Sequence, residues 1–202
     1  TQKKQEICDF VEKTVKSGAK IRSKGKKVSI ISTFHDGSEH LEGFLEDTVK
    51  QTIFDECELI FVDAASTGPE ESIISRYMEK YDNISYTRIE ERLKPTPCLN
   101  MAIKRASGKY ITFGFIDDRK KDDCLEILLK GIENSNVELV YGDVLQTDKI
   151  NETFADNSSK GKLFEHSRNQ FSKENMIKCL PGPMPLWKSS VHDKVGFFDQ
   201  DN

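Results

Sequence analysis

The sequence lacks an apolar run long enough to cross a membrane, and no signal-peptide pattern opens it. Apolar residues make up 36% of the chain and charged residues 32%, which is enough to bury a core beneath a very polar surface. We therefore expect no transmembrane segment, while peripheral contact with a membrane stays open. The chain begins at Thr1 without an initiator methionine, so we expect it to be an excerpt of a longer protein.

Signatures of disulfide bonding, zinc binding and nucleic-acid binding are also missing. The five cysteines are scattered and odd in number, with no C-x-x-C pair, and the four histidines lack zinc-ligand spacing. A net charge of -4 lacks the basic excess of a general nucleic-acid binder. Reduced thiols fit this cysteine pattern better than a disulfide framework. We therefore expect a cytoplasmic protein with no nucleic-acid partner.

The first residues differ from the rest of the chain. Apolar residues recur there at helical spacing and predict an amphipathic helix: Ile7, Phe10, Val11 and Val15. A lysine-rich stretch, residues 19–27, follows and is typical of a solvated connector, with contact to an anionic surface as the alternative. We therefore divide the chain into an N-terminal amphipathic helix and basic linker, residues 1–27, and a main domain, residues 28–202.

The main domain alternates strands with helices. Short apolar runs predict strands at residues 28–32, 59–62, 84–88, 110–116 and 137–141. Apolar residues at helical spacing predict helices at residues 41–53, 72–81, 97–106 and 123–130. This alternation favours an α/β fold with a mostly parallel, doubly wound sheet and flanking helices, similar to a Rossmann nucleotide-binding half. In such a sheet the loops at the carboxyl ends of the strands line one crevice.

The strand predicted at residues 110–116 runs directly into two acids, Asp117 and Asp118. Carboxylates at this edge suit a hard cation, and a cation there suits a phosphate-bearing ligand. A polar turn that ends a core strand is the alternative interpretation. The loop that follows the second strand carries Asp63, Ser66 and Thr67, whose oxygens suit a base and a ribose and favour a nucleotide ligand.

Three stretches of the chain resemble family 2 glycosyltransferases. Residues 28–67 match the family's opening strand, its helix ending in Gln-Thr, and its second strand ending in Val-Asp. LNMAIKRASGKYITF (99–113) matches the Asn-containing helix and the next core strand, and VGFFDQ (195–200) matches the Gly-x-Phe-Asp element. The resemblance extends from about Lys27 to the last residue. It implies a GT-A fold and an inverting hexosyltransferase of polysaccharide biosynthesis that uses a nucleotide-diphosphate sugar.

The resemblance implies a nucleotide-binding site. Thr33 and His35 fall in the loop that contacts the base, and His35 stands where the family often has a stacking aromatic ring. Asp63 matches the first acid of the family's Asp-Asp pair, but the second acid, which commonly reads uracil, is Ala64 here. Lys94 stands where some members place a basic residue against the nucleotide. For His35 and Lys94, an ordinary solvated surface residue is the alternative.

The resemblance also implies a metal site with an altered motif. Asp117 matches the last acid of the family's Asp-x-Asp, which usually binds the cation, whereas the first acid is replaced by Phe115. Asp118 offers a second ligand or a water contact. We therefore expect Mn²⁺ or Mg²⁺ at Asp117 and Asp118, because a cation bound to a diphosphate often takes only one or two protein carboxylates. The alternative is that the three basic residues at 119–121 supply the positive charge.

In the reaction that the resemblance implies, an acceptor hydroxyl of a saccharide or another molecule attacks the anomeric carbon opposite the diphosphate. A carboxylate takes the hydroxyl proton. The family usually places this base shortly after the Gly-x-Phe-Asp element, where this chain has only Asp199 and Asp201. A capping or hydrogen-bonding role suits Asp199 better. We therefore expect the catalytic base beyond Asn202, in a domain truncated at its acceptor end.

Two other functions stay open. Ala64 and Phe115 are compatible with a non-catalytic module that binds nucleotide sugars but has lost some of the family's acids. A flavodoxin-like signalling domain is disfavoured by the Gly-x-Phe-Asp element and by a long polar excursion, residues 151–175, predicted as a lid or acceptor rim. Residues 179–187 are predicted as a stiff apolar loop that places Trp187 in the core, with stacking of Trp187 on a sugar face as the alternative.

Overall fold

Within residues 25–164, 171–175 and 181–199, which the computed structural model describes, six strands form one sheet in the order β3-β2-β1-β4-β6-β5. The first four strands are parallel to one another, and β6 runs antiparallel to both β4 and β5. The strands are β1 (Val28–Phe34), β2 (Cys57–Ala64), β3 (Ile84–Ile89), β4 (Tyr110–Phe113), β5 (Leu139–Tyr141) and β6 (Pro185–Lys188). The mostly parallel sheet predicted from the sequence is confirmed.

Helices cover both faces of this sheet. They are α1 (Ser38–Val49), α2 (Glu70–Met78), α3 (Pro95–Arg105), α4 (Cys124–Glu133) and the short α5 (Val191–Val195). Because successive strand residues point to opposite faces, Ile30 packs into the core on the side of α1, α2 and α4, and Ile31 packs into the core beside α3. Burial on both faces explains why apolar residues occupy adjacent positions in β1 and β2 and do not simply alternate with polar ones.

All four predicted helices have different limits in the structure, by one to four residues at each end. The helix predicted at 41–53 ends at Val49, and Ile53 lies in the turn before a short 3₁₀ segment, Phe54–Glu56. The helix predicted at 123–130 continues to Glu133. Ile53 still packs against the core from its turn, so its apolar character fitted the helical spacing without belonging to the helix.

The strand predicted at residues 110–116 is shorter in the structure. β4 ends at Phe113, and the Gly114 N–H donates to the carbonyl of Ile31 at 2.8 Å before the chain turns. A Cβ at Gly114 would lie 2.8 Å from the Ile30 side chain, so this close approach requires glycine. The Asp118 N–H then donates to the Phe115 carbonyl, which closes a turn.

The prediction of a stiff apolar loop at residues 179–187 is wrong at its C-terminal end. Pro185–Lys188 is the strand β6, which pairs with β4 on one side and β5 on the other. Two nearby prolines favoured a loop prediction, but Pro185 occupies the first position of the strand, where a missing N–H is tolerated. Trp187 is 5% exposed, which confirms its predicted place in the core.

Several sequence predictions lie outside the described residues. The amphipathic helix and most of the basic linker fall before residue 25, and Asp201 falls after residue 199. Across the described ranges, none of the helices combines the length and apolar character needed to span a membrane. The described parts of the excursion, 151–164 and 171–175, contain one isolated bridge, between Leu145 before it and Leu163.

Candidate functional site

Two cavities open at the carboxyl ends of the parallel strands. The first, the β1–β2 cleft, has a volume of about 390 Å³ and follows the ends of β1 and β2. The second, the acid pocket, has a volume of about 530 Å³ and follows the end of β4, the neighbour of β1 on its other side. Each lies where an open α/β sheet places its ligand crevices.

The β1–β2 cleft contains three of the four residues predicted to bind a nucleotide. Thr33 and His35 line it from the end of β1, and Lys94 lines it from the start of α3. Ala64 and Arg92 also line the cleft. The structure therefore brings together residues that are up to 61 positions apart in the sequence.

The ring of His35 is fixed at the mouth of this cleft. Its Nδ1–H donates to the carbonyl of Ala64 at 2.8 Å, which assigns the proton to Nδ1 in the neutral form. Its Nε2 lies 3.3 Å from the Asp36 carboxylate, and 21% of the side chain is exposed. A ring held in this way presents a partly open face to a planar ligand.

Asp63, the fourth predicted nucleotide-binding residue, lies beneath the cleft and does not line it. It is 0% exposed, and its two carboxylate oxygens accept hydrogen bonds from the Tyr86 hydroxyl at 2.6 Å and the Ser66 N–H at 2.8 Å. Burial and the bond to Asp63 raise the pKa of Tyr86, which remains a neutral donor. The carboxylate thereby holds the end of β2 and the loop that follows in one conformation.

Asp36 extends this network to the loop after β1. Its backbone N–H donates to the Ser66 hydroxyl at 2.8 Å, and its Oδ1 accepts from the Thr67 N–H at 2.8 Å. The Thr67 bond is the main reason why the pKa of Asp36 is lowered. The backbone of Asp36 is left-handed at φ 59°, a conformation that these hydrogen bonds hold in place.

The two predicted metal ligands line the acid pocket. Asp117 is exposed, whereas Asp118 is partly buried. Burial raises the pKa of Asp118, and the Lys120 ammonium partly opposes this effect. The other walls come from His40 on α1 and from residues 143–157, which follow β5. Structure thus separates the metal candidates from the nucleotide candidates by placing them in neighbouring cavities.

The basic residues that follow these acids are engaged with the protein itself. Arg119 forms a two-pronged ion pair with Asp47, at 2.6 and 2.8 Å. The Lys121 ammonium bonds Asp123 at 2.9 Å. Lys120 is 5% exposed, and its ammonium lies over the Phe44 ring at 5.1 Å with no hydrogen-bond acceptor among the described residues. The ion pairs of Arg119 and Lys121 do not favour the alternative in which this basic run neutralises a ligand, whereas Lys120 lines the acid pocket without an acceptor among the described residues.

The acid loop, residues 117–123, is held by polar residues at the end of α1 and just beyond it. Gln51, which is 3% exposed, donates to the Lys121 carbonyl at 2.8 Å and accepts from the Leu125 N–H at 3.0 Å. The Thr52 N–H donates to the Asp122 carbonyl at 2.9 Å. Sequence reasoning missed these roles. The available signal was a set of polar residues, Asp47, Thr48 and Gln51, interrupting an apolar helical face.

The carboxylates fit a cation only if a ligand completes its coordination. No group of three or more His, Cys, Asp or Glu side chains that could hold a metal ion occurs in the described ranges. Asp117 and Asp118 nevertheless supply hard oxygen donors at the end of β4. Mg²⁺ and Mn²⁺ commonly use one or two such carboxylates together with substrate phosphates. The residues present therefore fit a cation shared with a diphosphate, and they do not form an all-protein cage.

The Gly-x-Phe-Asp element is tied to α3 by one side chain. Asn100, which is 1% exposed, donates to the Phe198 carbonyl at 2.8 Å and accepts from the Phe198 N–H at 3.1 Å. The amide thus pairs with a backbone segment 98 positions away, as a neighbouring strand would. Asp199, the described candidate base, follows this anchor and is exposed.

Phe115, which replaces the first acid of the metal motif, belongs to an aromatic cluster. Its ring stacks on Phe113 with centroids 5.1 Å apart, and Phe113 also contacts Trp187 and Phe198. Trp187 donates its indole N–H to Nε2 of His192 at 3.0 Å. The position is therefore occupied by a ring that stacks on Phe113 of β4, and Phe113 in turn contacts the Gly-x-Phe-Asp element.

Comparison with known proteins gives this arrangement a family. The chain is 25% identical over 127 residues to the glycosyltransferase GlyG of Streptococcus pneumoniae, covering 63% of this chain and 42% of GlyG. The aligned part spans less than half the length of the first curated relatives that it matches.

Two solved structures share the fold at low sequence identity. S. aureus TarS in complex with UDP-GlcNAc superposes with a TM-score of 0.67 and 19% identity, over 86% of this chain and 48% of TarS. The mannosyltransferase PcManGT of Pyrobaculum calidifontis, in complex with GDP-Man and Mn²⁺, gives a TM-score of 0.62 and 16% identity, over 96% and 55%. The sheet with its flanking helices is a GT-A fold. The sequence profile described as Glycosyl transferase family 2 matches residues 29–196, and the chain belongs to this family.

Proposed function

We propose that this chain is the donor-binding part of an inverting, metal-assisted hexosyltransferase that moves a sugar from a nucleotide diphosphate to an acceptor hydroxyl. The observation that carries the proposal is the pair of cavities on neighbouring strands. One is lined by Thr33, His35 and Lys94, and the other by Asp117 and Asp118. A nucleotide sugar needs this combination, because a planar base and an anionic diphosphate require different surroundings.

The nucleotide end of the donor lies in the β1–β2 cleft in this proposal. The His35 ring stacks on the base, the Thr33 hydroxyl offers a hydrogen bond, and the Lys94 ammonium faces the phosphates. Asp63 acts from below, by holding the loop on which Ala64 and Ser66 lie. Ala64 has no polar side-chain atom, and its carbonyl already accepts from His35, so the usual uracil-reading contact is absent.

The diphosphate end lies at Asp117 and Asp118, which would hold Mn²⁺ or Mg²⁺. When bound, such an ion stabilises the negative charge that develops on the leaving diphosphate. The partly buried side of Asp118 and the hydrogen bonds from Gln51 keep the acid loop in place while the exposed Asp117 meets the ligand. A fixed geometry of this kind lowers the reorganisation needed at the moment of transfer.

Transfer with inversion requires a carboxylate that takes the proton of the acceptor hydroxyl. Asp199 is exposed next to Phe198, whose backbone is tied to Asn100, and we propose that the base is a carboxylate that follows this element. We propose that residues 28–202 form one domain preceded by a helix and basic linker at 1–27. We also propose that it works in the cytoplasm, in polysaccharide biosynthesis, on a hydroxyl-bearing acceptor such as a saccharide.

One observation favours a second function, a module that binds a nucleotide sugar without transferring it. Phe115 packs as an aromatic ring where the family has an acid, and Ala64 replaces another acid. Such a module would retain donor binding in the two cavities. It would yield no transferred sugar even when the full-length protein and an acceptor are supplied.

Calorimetric titration tests donor binding directly. We expect one of UDP, GDP, dTDP and CDP to bind in the presence of Mn²⁺, and a chelator to weaken binding strongly. Asp117→Asn should have the same effect as the chelator. Asp122→Asn is the matched control, because Asp122 lies on the same loop, is exposed and does not line the acid pocket. Binding that is equally strong with the chelator would contradict the metal role, and no binding at all would contradict the donor site.

A further inference from the structure

Arg119 links three parts of the acid pocket. On one side, its Nε and Nη2 donate to the two carboxylate oxygens of Asp47 on α1, at 2.6 and 2.8 Å. Only 12% of the Arg119 side chain and 10% of the Asp47 side chain are exposed. A paired, two-pronged contact of this kind fixes the plane and the position of a guanidinium, which a single ammonium contact would not.

Asp47 holds the acid loop through the backbone as well. The Lys120 N–H donates to Oδ2 of Asp47 at 3.1 Å, so one carboxylate receives three hydrogen bonds from two consecutive residues. These residues follow directly after Asp118. The backbone that carries the two metal candidates is therefore pinned to α1 within two positions of them.

The opposite edge of Arg119 reaches the far wall of the pocket. Its Nη1 donates to the carbonyl of Asn151 at 3.1 Å. The side-chain amide of Asn151 in turn donates to the carbonyl of Glu39, in the first turn of α1, at 2.6 Å. Asn151 has a left-handed backbone at φ 58°; its carbonyl meets Arg119 of the acid loop and its side chain meets the first turn of α1.

Gly43 makes room for this arrangement. A Cβ at position 43 would overlap Nη1 of Arg119, would lie 3.0 Å from its Cζ, and would lie 3.3 Å from Oδ1 of Asn151. Glycine inside a helix is normally unfavourable, because it adds backbone entropy to the unfolded chain. Its presence in the middle of α1 indicates that space for the Arg119 guanidinium matters more at this position than helix propensity.

Hydrogen bonds that join α1 to the acid loop, and that would be sufficient for folding, are already present without Arg119. Gln51 and Thr52 join α1 to the acid loop and to the start of α4. What Arg119 adds is the link to Asn151 and hence to residues 143–157, which form the opposite wall. We propose that Arg119 is a positioning residue that, together with Asp47 and Asn151, holds the Asp117 and Asp118 carboxylates and the opposite wall of the acid pocket as one frame for the cation and diphosphate. This inference rests on the proposed function.

The first measurement is hydrogen–deuterium exchange without any ligand. Arg119→Gln should speed exchange of the amides at residues 147–157, and Arg119→Lys, which keeps the charge without the fork, should speed it less. Gly43→Ala should act like Arg119→Gln because it displaces the guanidinium without removing a polar group. Arg76→Gln is the matched control, since Arg76 also pairs with a carboxylate of α1, Glu42, but at an exposed site. Unchanged exchange in both Arg119→Gln and Gly43→Ala would overturn the frame.

The second measurement is the Mn²⁺ concentration that gives half-maximal binding of the nucleotide diphosphate. Partners that orient metal ligands typically contribute about 10–100-fold to metal affinity. We therefore expect Arg119→Gln to raise this concentration at least about tenfold, Arg119→Lys to recover part of the loss, and the affinity measured in chelator to stay constant. A change below about twofold in a folded variant would overturn the positioning role. If the unaltered chain binds no nucleotide, the proposed function fails, and the exchange experiment alone decides whether the frame exists.

Discussion

Buried polar residues that direct most of their hydrogen bonds at backbone groups hold the loops around the two cavities and the Gly-x-Phe-Asp element. Gln51, Asp63 and Asn100 are each at most 3% exposed, and each bonds a loop that follows or precedes a strand. A buried polar group lowers the stability of the fold when it is unpaired and stabilises the fold when all of its hydrogen bonds are formed. These residues therefore fix loops that apolar packing alone would leave free to shift.

Asn100→Ala should show the cost of losing one such contact. The substitution removes both hydrogen bonds to Phe198 and leaves its backbone groups unpaired. We expect the free energy of unfolding, measured with urea, to fall by about 1–3 kcal/mol. Asn136→Ala, at an exposed position, is the control and should change it by less than about 0.5 kcal/mol. Equal effects of the two substitutions would mean that the bridge contributes nothing.

Cys98 predicts a pH dependence. Burial, followed by the nearby Asp63, raises the pKa of its thiol to about 11. The unfolded thiol titrates near about 8.5, so the folded state holds its proton more tightly and the stabilisation is complete only below that value. Stability should therefore fall as the pH rises from about 8.5 toward 11.

Urea unfolding at pH 8 and pH 10.5 isolates this effect. Between these two values, we expect the wild-type chain to lose about 2 kcal/mol more than Cys98→Ala, because the variant has no thiol to ionise at this position. Parallel losses in the two proteins would show that the Cys98 thiol titrates alike in the folded and unfolded states.

At the scale of secondary structure, the turn between α3 and β4 shows how elements are held in register. The buried carboxylate of Glu58 on β2 accepts from the Ser29 hydroxyl and the Ser107 N–H, both at 2.6 Å. The Gly108 N–H donates to the same Ser29 hydroxyl at 2.9 Å. Three segments thus meet at the start of β4, whose other end carries the acid loop. The register of the acids depends on this turn.

Two glycine substitutions separate the effect of close packing on stability from the effect of helix propensity. A Cβ at Gly108 would lie 2.7 Å from the Ser29 hydroxyl and 2.8 Å from its backbone nitrogen, so Gly108→Ala should lower the free energy of unfolding by about 1–3 kcal/mol. Gly131, on the exposed side of α4, has no atom within 4 Å of its Cβ direction. Gly131→Ala should raise stability by about 0.5–1 kcal/mol, because alanine favours the helix. Thermal and urea unfolding of both variants would detect a reversed order.

At the scale of the whole molecule, the sheet joins distant parts of the chain. β6 lies between β4 and β5, although it follows them by about 70 and 45 positions. Its Trp187 packs on Phe113 and bonds His192, so the aromatic cluster joins the middle of the sheet to the Gly-x-Phe-Asp element. Folding of the first four strands should therefore be coupled to folding of the last described segment.

Trp187 makes this coupling measurable, since it is the single tryptophan of the chain. We expect its fluorescence and the far-UV circular dichroism to report the same urea midpoint, as a single cooperative domain requires. His192→Phe should shift both midpoints together, because it leaves the buried indole N–H without its acceptor. A separate fluorescence transition would show that β6 and the final segment unfold independently and would contradict our single-domain proposal for residues 28–202.

Some of this could be predicted because local chemistry dictates it. Strands buried on both faces carry adjacent apolar residues, so the centres of β1 and β2 were predictable, and their alternation with helices favoured a parallel sheet. Acids placed after the β4 segment predicted a polar site at its carboxyl end, and both line a cavity there. The motifs quoted from residues 28–67, 99–113 and 195–200 were sufficient for the family.

Only the tertiary structure decided how the site is divided and held. Asp63 lies at the end of β2, and His35 follows the neighbouring strand β1. The Asp63 carboxylate is bonded to Tyr86 and Ser66, whereas the His35 side chain lines the cleft. Arg119 reads in sequence as a solvated basic residue, but in space it is paired with Asp47, 72 positions away. Side-chain partners of this kind follow from which strands, helices and loops the fold brings together. Local sequence determines the elements, and long-range packing determines which polar groups remain available to a ligand.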